Sequence, residues 1–213
     1  MPTPSWILSN RTSIAQDWVP LAFIWHLLAA AAIIAFIRGW RPTRSRAGWY
    51  LAAPLASVSL LAFGYGNVFN GATFAALTLA LLLLSRRLEG PVELGPWWSV
   101  GIGAFMICFG LLYPHFLEPR VVLAYLLAAP AGLLPCPTLS LVIGAALVVV
   151  GLKARAWSVA LALAGLFYGI FGVARLGVRL DVFLIAGSVA FVVSLLAPHG
   201  EHGGHHHLRP RLS

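Results

Sequence analysis

Long runs of nearly pure apolar residues, separated by short polar links, set the pattern of the chain: 18–37, 48–63, 71–84, 97–116, 137–152, 157–174 and 182–197. The first run carries one ionisable side chain, His26. About 20 apolar residues are what a helix needs to cross the hydrocarbon of a bilayer. Inside lipid the backbone must satisfy its own hydrogen bonds, so runs of this kind are predicted to be helices. A transmembrane β-barrel would instead show short segments of alternating polarity. The pattern therefore predicts an all-α, polytopic helical membrane protein of about seven transmembrane helices. Residues 18–197 form its single membrane domain, preceded by a segment 1–17 and followed by a His-rich tail 198–213. Trp18, Trp40, Trp49, Trp97, Trp98 and Trp157 stand at or near block ends, as an interfacial aromatic belt requires.

One further apolar stretch, 121–134, is too short before Pro135 for an ordinary crossing and reads as re-entrant or interfacial. The distribution of positive charge arbitrates. With seven crossings, Arg38, Arg41, Arg44, Arg46, Arg86, Arg87, Lys153, Arg155, Arg209 and Arg211 share one side, and Arg11, Arg120, Arg175 and Arg179 face the other. An eighth crossing divides them almost evenly. The positive-inside rule thus favours seven, with the N-terminus outside and the C-terminus cytoplasmic in a bacterial inner membrane.

Composition agrees and removes other classes. The 213 residues are 60% hydrophobic and 9% charged, against roughly 45–50% and 25% in soluble domains. The net charge of +8 sits at block ends rather than on a basic face. That pattern points to topology signals and contact with the lipid bilayer, not to nucleic acid. Two cysteines, Cys108 and Cys136, offer neither a disulfide framework nor a CxxC spacing. Residues 1–17 lack the basic-then-apolar pattern of a cleaved signal peptide.

The sharpest local feature is Pro135-Cys136-Pro137-Thr138. Two prolines deny backbone donors and favour extended chain, which at membrane depth is tolerated where it lines a cavity. Cys136 then faces that cavity as a soft ligand; alternatively the prolines start a helix and Cys136 packs. His115, beside Glu118 and Arg120, can join Cys136 at the outer face, with Cys108 deeper on the same helix. His26 is either a relay residue facing the bundle interior or a hydrogen-bonding residue. Tyr65, Asn67 and Asn70 belong to a vestibule or to a glycine-rich turn. Arg175 and Arg179 are candidates for an anion, or for pairing with Asp181. Gly165 and Gly169, with Gly172 beyond, allow close helix packing within the bundle or across a homo- or hetero-oligomer. In the tail, His199, His202, His205, His206 and His207 can chelate a transition metal such as nickel, zinc or copper.

The Leu134-Pro-Cys-Pro-Thr138 stretch with the apolar run 139–149, the Tyr113-Pro114 pair and the helix 157–173 resemble a family of bacterial multi-pass membrane proteins, a domain of unknown function with a Pro-Cys-Pro-Thr motif. The likeness runs over roughly 17–197 and implies fold rather than activity. Members carry a Tyr-His pair in the second span, where this chain has Tyr65-Gly66. The resemblance therefore brings no metal or haem role to that position. For function, small-solute or transition-metal transport through Cys136, His115 and His26 is the first expectation. A non-catalytic membrane subunit or scaffold that assembles with partner proteins is the alternative. No catalytic set is evident.

Overall fold

The computed structural model describes residues 3–116 and 123–196, and the described residues are helical throughout, with only short links between helices. The helices are α1 (Pro4–Asp17), α2 (Val19–Ile37), α3 (Arg44–Gly64), α4 (Val68–Ser85), α5 (Trp97–Leu111), α6 (Leu123–Ala128), α7 (Pro135–Val148), α8 (Arg155–Leu176) and α9 (Val182–Leu196). Their boundaries follow local chemistry. The Thr3, Thr43 and Asn67 side chains accept from the backbone N–H groups of Trp6, Arg46 and Asn70 and so cap α1, α3 and α4. Gly177 ends α8 in the left-handed conformation, at φ 70°.

Five segments are long and apolar enough to cross a membrane: α2, α3, α4, α8, and α9 together with the 3₁₀ turn Arg179–Asp181 that leads into it. The expected seven are thus five long helices plus the shorter apolar α5 and α7, of 15 and 14 residues. At about 1.5 Å per residue each of these two reaches only some 20 Å as regular helix. The block at 97–116 falls short because helix stops at Leu111. The block at 137–152 does so because a 3₁₀ turn, Val150–Lys153, replaces its last turn.

Two ends organise the bundle. At one, Glu93 bridges Arg44 at 2.9 Å and Lys153 at 2.7 Å, tying together the links before α3, before α5 and before α8. Backbone bonds reinforce this end: Arg44 N–H to Gly90 O, Val92 N–H to Pro42 O and Gly95 N–H to Val148 O. At the other end Tyr113 and Cys136 both meet Asp181, so α5 ends and α7 begins where α9 starts. The stretch expected to be re-entrant therefore returns the chain to the end it left, through the six-residue α6.

Helix α7 is the core element. Its buried residues run almost unbroken from Pro135 to Leu147, and it packs against α3, α5, α8 and α9. Its closest neighbour is α5, where Gly103 and Gly144 let the two backbones touch. A Cβ on either would lie 2.6 Å from the other's carbonyl oxygen. Both prolines of the motif fall in the first turn of α7, where a missing N–H costs nothing because it has no intrahelical acceptor. Of the two readings of the motif, the helix start with a packed Cys136 is what forms, and not extended backbone lining a cavity.

Glu93 ought to give this end a pH dependence. The hydrogen bond and charge of Lys153, with Arg44, hold its carboxyl below the usual carboxylate range. A lowered value means the contribution is present at neutral pH and lost as pH falls through that range. Thermal unfolding of Glu93→Gln should show a small loss against wild type at pH 7, and the gap should close at pH 3. An equal gap at both values would count against the bridge.

Candidate functional site

Four side chains from four parts of the chain converge at the end opposite Glu93. Asp181, only 1% exposed, lies at the end of the 3₁₀ turn that starts α9. Its Oδ1 accepts from the Tyr113 hydroxyl at 2.6 Å and its Oδ2 from the Cys136 thiol at 3.2 Å. Arg11, 2% exposed, brings a positive charge within electrostatic reach of Asp181, Cys136 and Tyr113. Its Nε–H has no hydrogen-bond partner among the described residues. A buried polar group left in this condition is uncommon and calls for a reason.

Local sequence explains how each group arrives. On α1 the buried positions Ile7, Arg11, Ile14 and Ala15 recur at helical spacing and form one inward face. Asn10 Nδ2 donates to Tyr65 O at 2.9 Å, and the Tyr65 hydroxyl donates to Asp17 Oδ2 at 2.6 Å. The helix is thereby laid against the link between α3 and α4. Tyr113 stands just past the end of α5, its ring stacked on Phe116 and edge-on to Phe109. The Arg11 guanidinium lies 5.9 Å from the Phe116 ring centroid. Space for the Asp181 carboxylate comes from Gly172, where a Cβ would sit 1.8 Å from Oδ2.

Within the Pro-Cys-Pro-Thr motif the roles divide. Pro135 opens α7, and Cys136 donates to Asp181. Gly110 of α5 seats against the Pro137 carbonyl. Thr138 Oγ1 donates to Leu134 O at 2.6 Å and accepts from Gly132 N–H at 2.8 Å, which fixes the turn ahead of the helix. Beside the cluster the Tyr168 hydroxyl donates to Asn70 Oδ1 at 3.1 Å, so Asn70 serves a buried contact rather than a vestibule.

The other sequence candidates separate. Cys108 is exposed on α5 and takes no part in the cluster. His115 is half-buried with its ring edge-on to Phe116 and lies within electrostatic reach of Asp181. His26 lies elsewhere: its ring nitrogens are 2.8 Å from Ala22 O and 2.8 Å from Leu111 O, tying α2 to the end of α5. Both partners only accept, so at least one ring nitrogen carries a hydrogen and donates it. Arg175 and Arg179 are exposed and do not pair with Asp181, which points inward. Gly165 and Gly169 are filled from inside the bundle by Ser188 and Ile185 of α9. Among the described residues no group of three or more His, Cys, Asp or Glu is arranged to hold a metal ion. Glu118, Arg120 and the tail histidines His199, His202, His205, His206 and His207 lie outside the described residues.

Sequence reading missed Arg11 and the inward turn of Asp181. The i, i+4, i+7 spacing of Ile7, Arg11 and Ile14 after Pro4 was the available signal for the first.

Removing one member of a buried charge pair usually loses about 3–5 kcal/mol, because the other charge stays behind. Arg11→Met should therefore be strongly destabilising, and adding Asp181→Asn should restore much of the loss. Additive effects in a double-mutant unfolding cycle would show that the two groups do not interact. Cys136 should resist N-ethylmaleimide in the folded protein while Cys108 reacts, with both labelled after denaturation; mass spectrometry of the adducts reads this directly.

No family model matches the chain, and neither a curated protein nor a solved structure matches it.

Proposed function

We propose that this is a bacterial inner-membrane protein whose seven principal helices, α2–α5 and α7–α9, all cross the bilayer, and that it moves a small anionic solute together with a proton. The short α5 and α7 complete their crossings with the irregular residues at their ends, and α1 covers the outer end. The positive-inside distribution supports this orientation, since the end tied by Glu93 also carries most of the arginines.

The observation that carries the transport reading is one buried acid, Asp181, and one buried base, Arg11, gathered in the same cluster with Tyr113 and Cys136 and within electrostatic reach of each other. An ionisable residue inside a membrane domain is by default a functional candidate. Asp181 is the buried acidic residue that proton coupling requires. When Asp181 is ionised it balances Arg11, and when it takes a proton the guanidinium is left uncompensated. A small anion then replaces the lost negative charge, so one proton and one anion enter the site together. Tyr113 and Cys136 hold the carboxylate in place, and α1 must shift to admit the solute.

The donor set gives less support to a metal cargo, because Cys136 and Asp181 lack a third ligand among the described residues. The alternative of a non-catalytic subunit loses its best-defined contact, since Gly165 and Gly169 are occupied internally.

Proteoliposomes loaded with a pH-sensitive dye test the reading, with acetate, nitrate and inorganic phosphate supplied as separate probes. Wild type should show anion-dependent proton entry, and Asp181→Asn and Arg11→Gln should each lose it. Transport by Asp181→Asn equal to wild type, or no anion-dependent proton movement by wild type, overturns the proposal. Thiol labelling of single cysteines introduced at Arg87 and Ala154 should occur from the same side of the membrane; labelling from opposite sides would refute the seven-crossing arrangement.

A further inference from the structure

Helix α2 stands apart from the bundle along most of its length. Among the described helices its close packing is against α1 and α6. Between α2 and the faces of α3, α5 and α7 lies a cavity of about 720 Å³. Its walls are apolar, with Leu28 and Ala32 on α2, Ala53 on α3, Ile107 on α5, and Leu141 and Ala145 on α7. At one end it is lined by Arg38, Trp40 and Tyr50. The other end is closed near Trp25, whose ring packs on Gly132 and whose Nε1–H donates to Ser57 Oγ. Gly132 is required there twice over, by its φ of +78° and by a Cβ position only 2.2 Å from the Trp25 ring.

An apolar space of this size facing hydrocarbon fills with a chain rather than with water, which needs polar partners. From Trp25 to Arg38 the groove follows some 20 Å of helix, somewhat more than the ~15 Å depth of one leaflet's hydrocarbon, half of a core of about 30 Å. The Arg38 guanidinium has no hydrogen-bond or ion-pair partner among the described residues, unlike that of Arg41, which is held by Phe36 O and Trp40 O. The aromatic pair Trp40–Tyr50, with centroids 6.0 Å apart, marks the same end of the groove as the interfacial end. The C-terminal dipole of α2 opposes an anion here by the equivalent of about half a charge. A full guanidinium at the mouth outweighs it.

We propose that this groove binds one anionic glycerophospholipid, an acyl chain lying between α2 and α7 and the phosphate held by Arg38. The inference rests on the chain lying in a bilayer and is independent of solute transport.

Native mass spectrometry of the full chain in detergent tests it, with phosphatidylglycerol and phosphatidylcholine of identical acyl chains titrated separately. Wild type should retain phosphatidylglycerol preferentially, and Arg38→Gln should cut that preference by about fivefold, the effect of one basic residue near an anionic headgroup. Ala32→Trp and Ala53→Trp, which fill the groove from opposite walls at exposed positions, should each abolish retention. Leu79→Trp on the outer face of α4 should leave it unchanged. Unaltered preference in Arg38→Gln overturns the headgroup assignment, and retention by either groove-filling variant overturns the site. A lipid-free wild type, including one recovered as a dimer or with a bound protein, overturns the proposal as a whole.

Discussion

A carboxylate removed from water has to be met by donors and by opposite charge, since the effective penalty of burying an ion is several kcal/mol. Asp181 imposes that requirement on the whole end of the bundle opposite Glu93. Its two oxygens take the Tyr113 hydroxyl and the Cys136 thiol, and Arg11 supplies the charge. Gly172 gives up a side chain so that the carboxylate fits. The end of α5, the start of α7, the α8–α9 corner and α1 are thereby fixed against one another by a single residue. Apolar packing cannot specify this arrangement alone, because lipid is as good a solvent for leucine as another helix is.

The opposite end is held by different means. Glu93 is half exposed and its two ion pairs are of the kind that contribute little to stability individually. Their value is positional, since one carboxylate gathers the links before α3, α5 and α8. Between the two ends, small residues rather than charges bring the helices together: Gly103 and Gly144 for α5 on α7, Gly165 and Gly169 for α8 on α9. A bundle clamped at both ends and smooth between them suits a protein whose α2 stands away from the others.

Apolar run length located the principal helices to within a few residues, because hydrophobic continuity is what a lipid solvent selects. It overstated the two inner ones. The runs ending at 116 and 152 remain apolar after the helix has ended, and hydrophobicity does not report where Tyr113-Pro114 or the 3₁₀ turn at Val150 breaks the hydrogen-bond ladder. The Pro-Cys-Pro-Thr motif was conspicuous, yet its partner was not legible, as Asp181 lies two helices further on. Asp181 instead invited pairing with the adjacent arginines. The 3₁₀ turn sends Arg179 to the surface and Asp181 to the interior, so nearness in sequence misled. Arg11 was hidden in a segment without an apolar run, where the inward face is only three or four residues wide.

The electrostatic interaction between Arg11 and Asp181 links α1 to the turn that starts α9. During synthesis α1 is made well before Asp181, so the guanidinium lacks its counter-charge until the turn into α9 has been made. A chain that stops short of Asp181 therefore leaves that cation without its buried carboxylate.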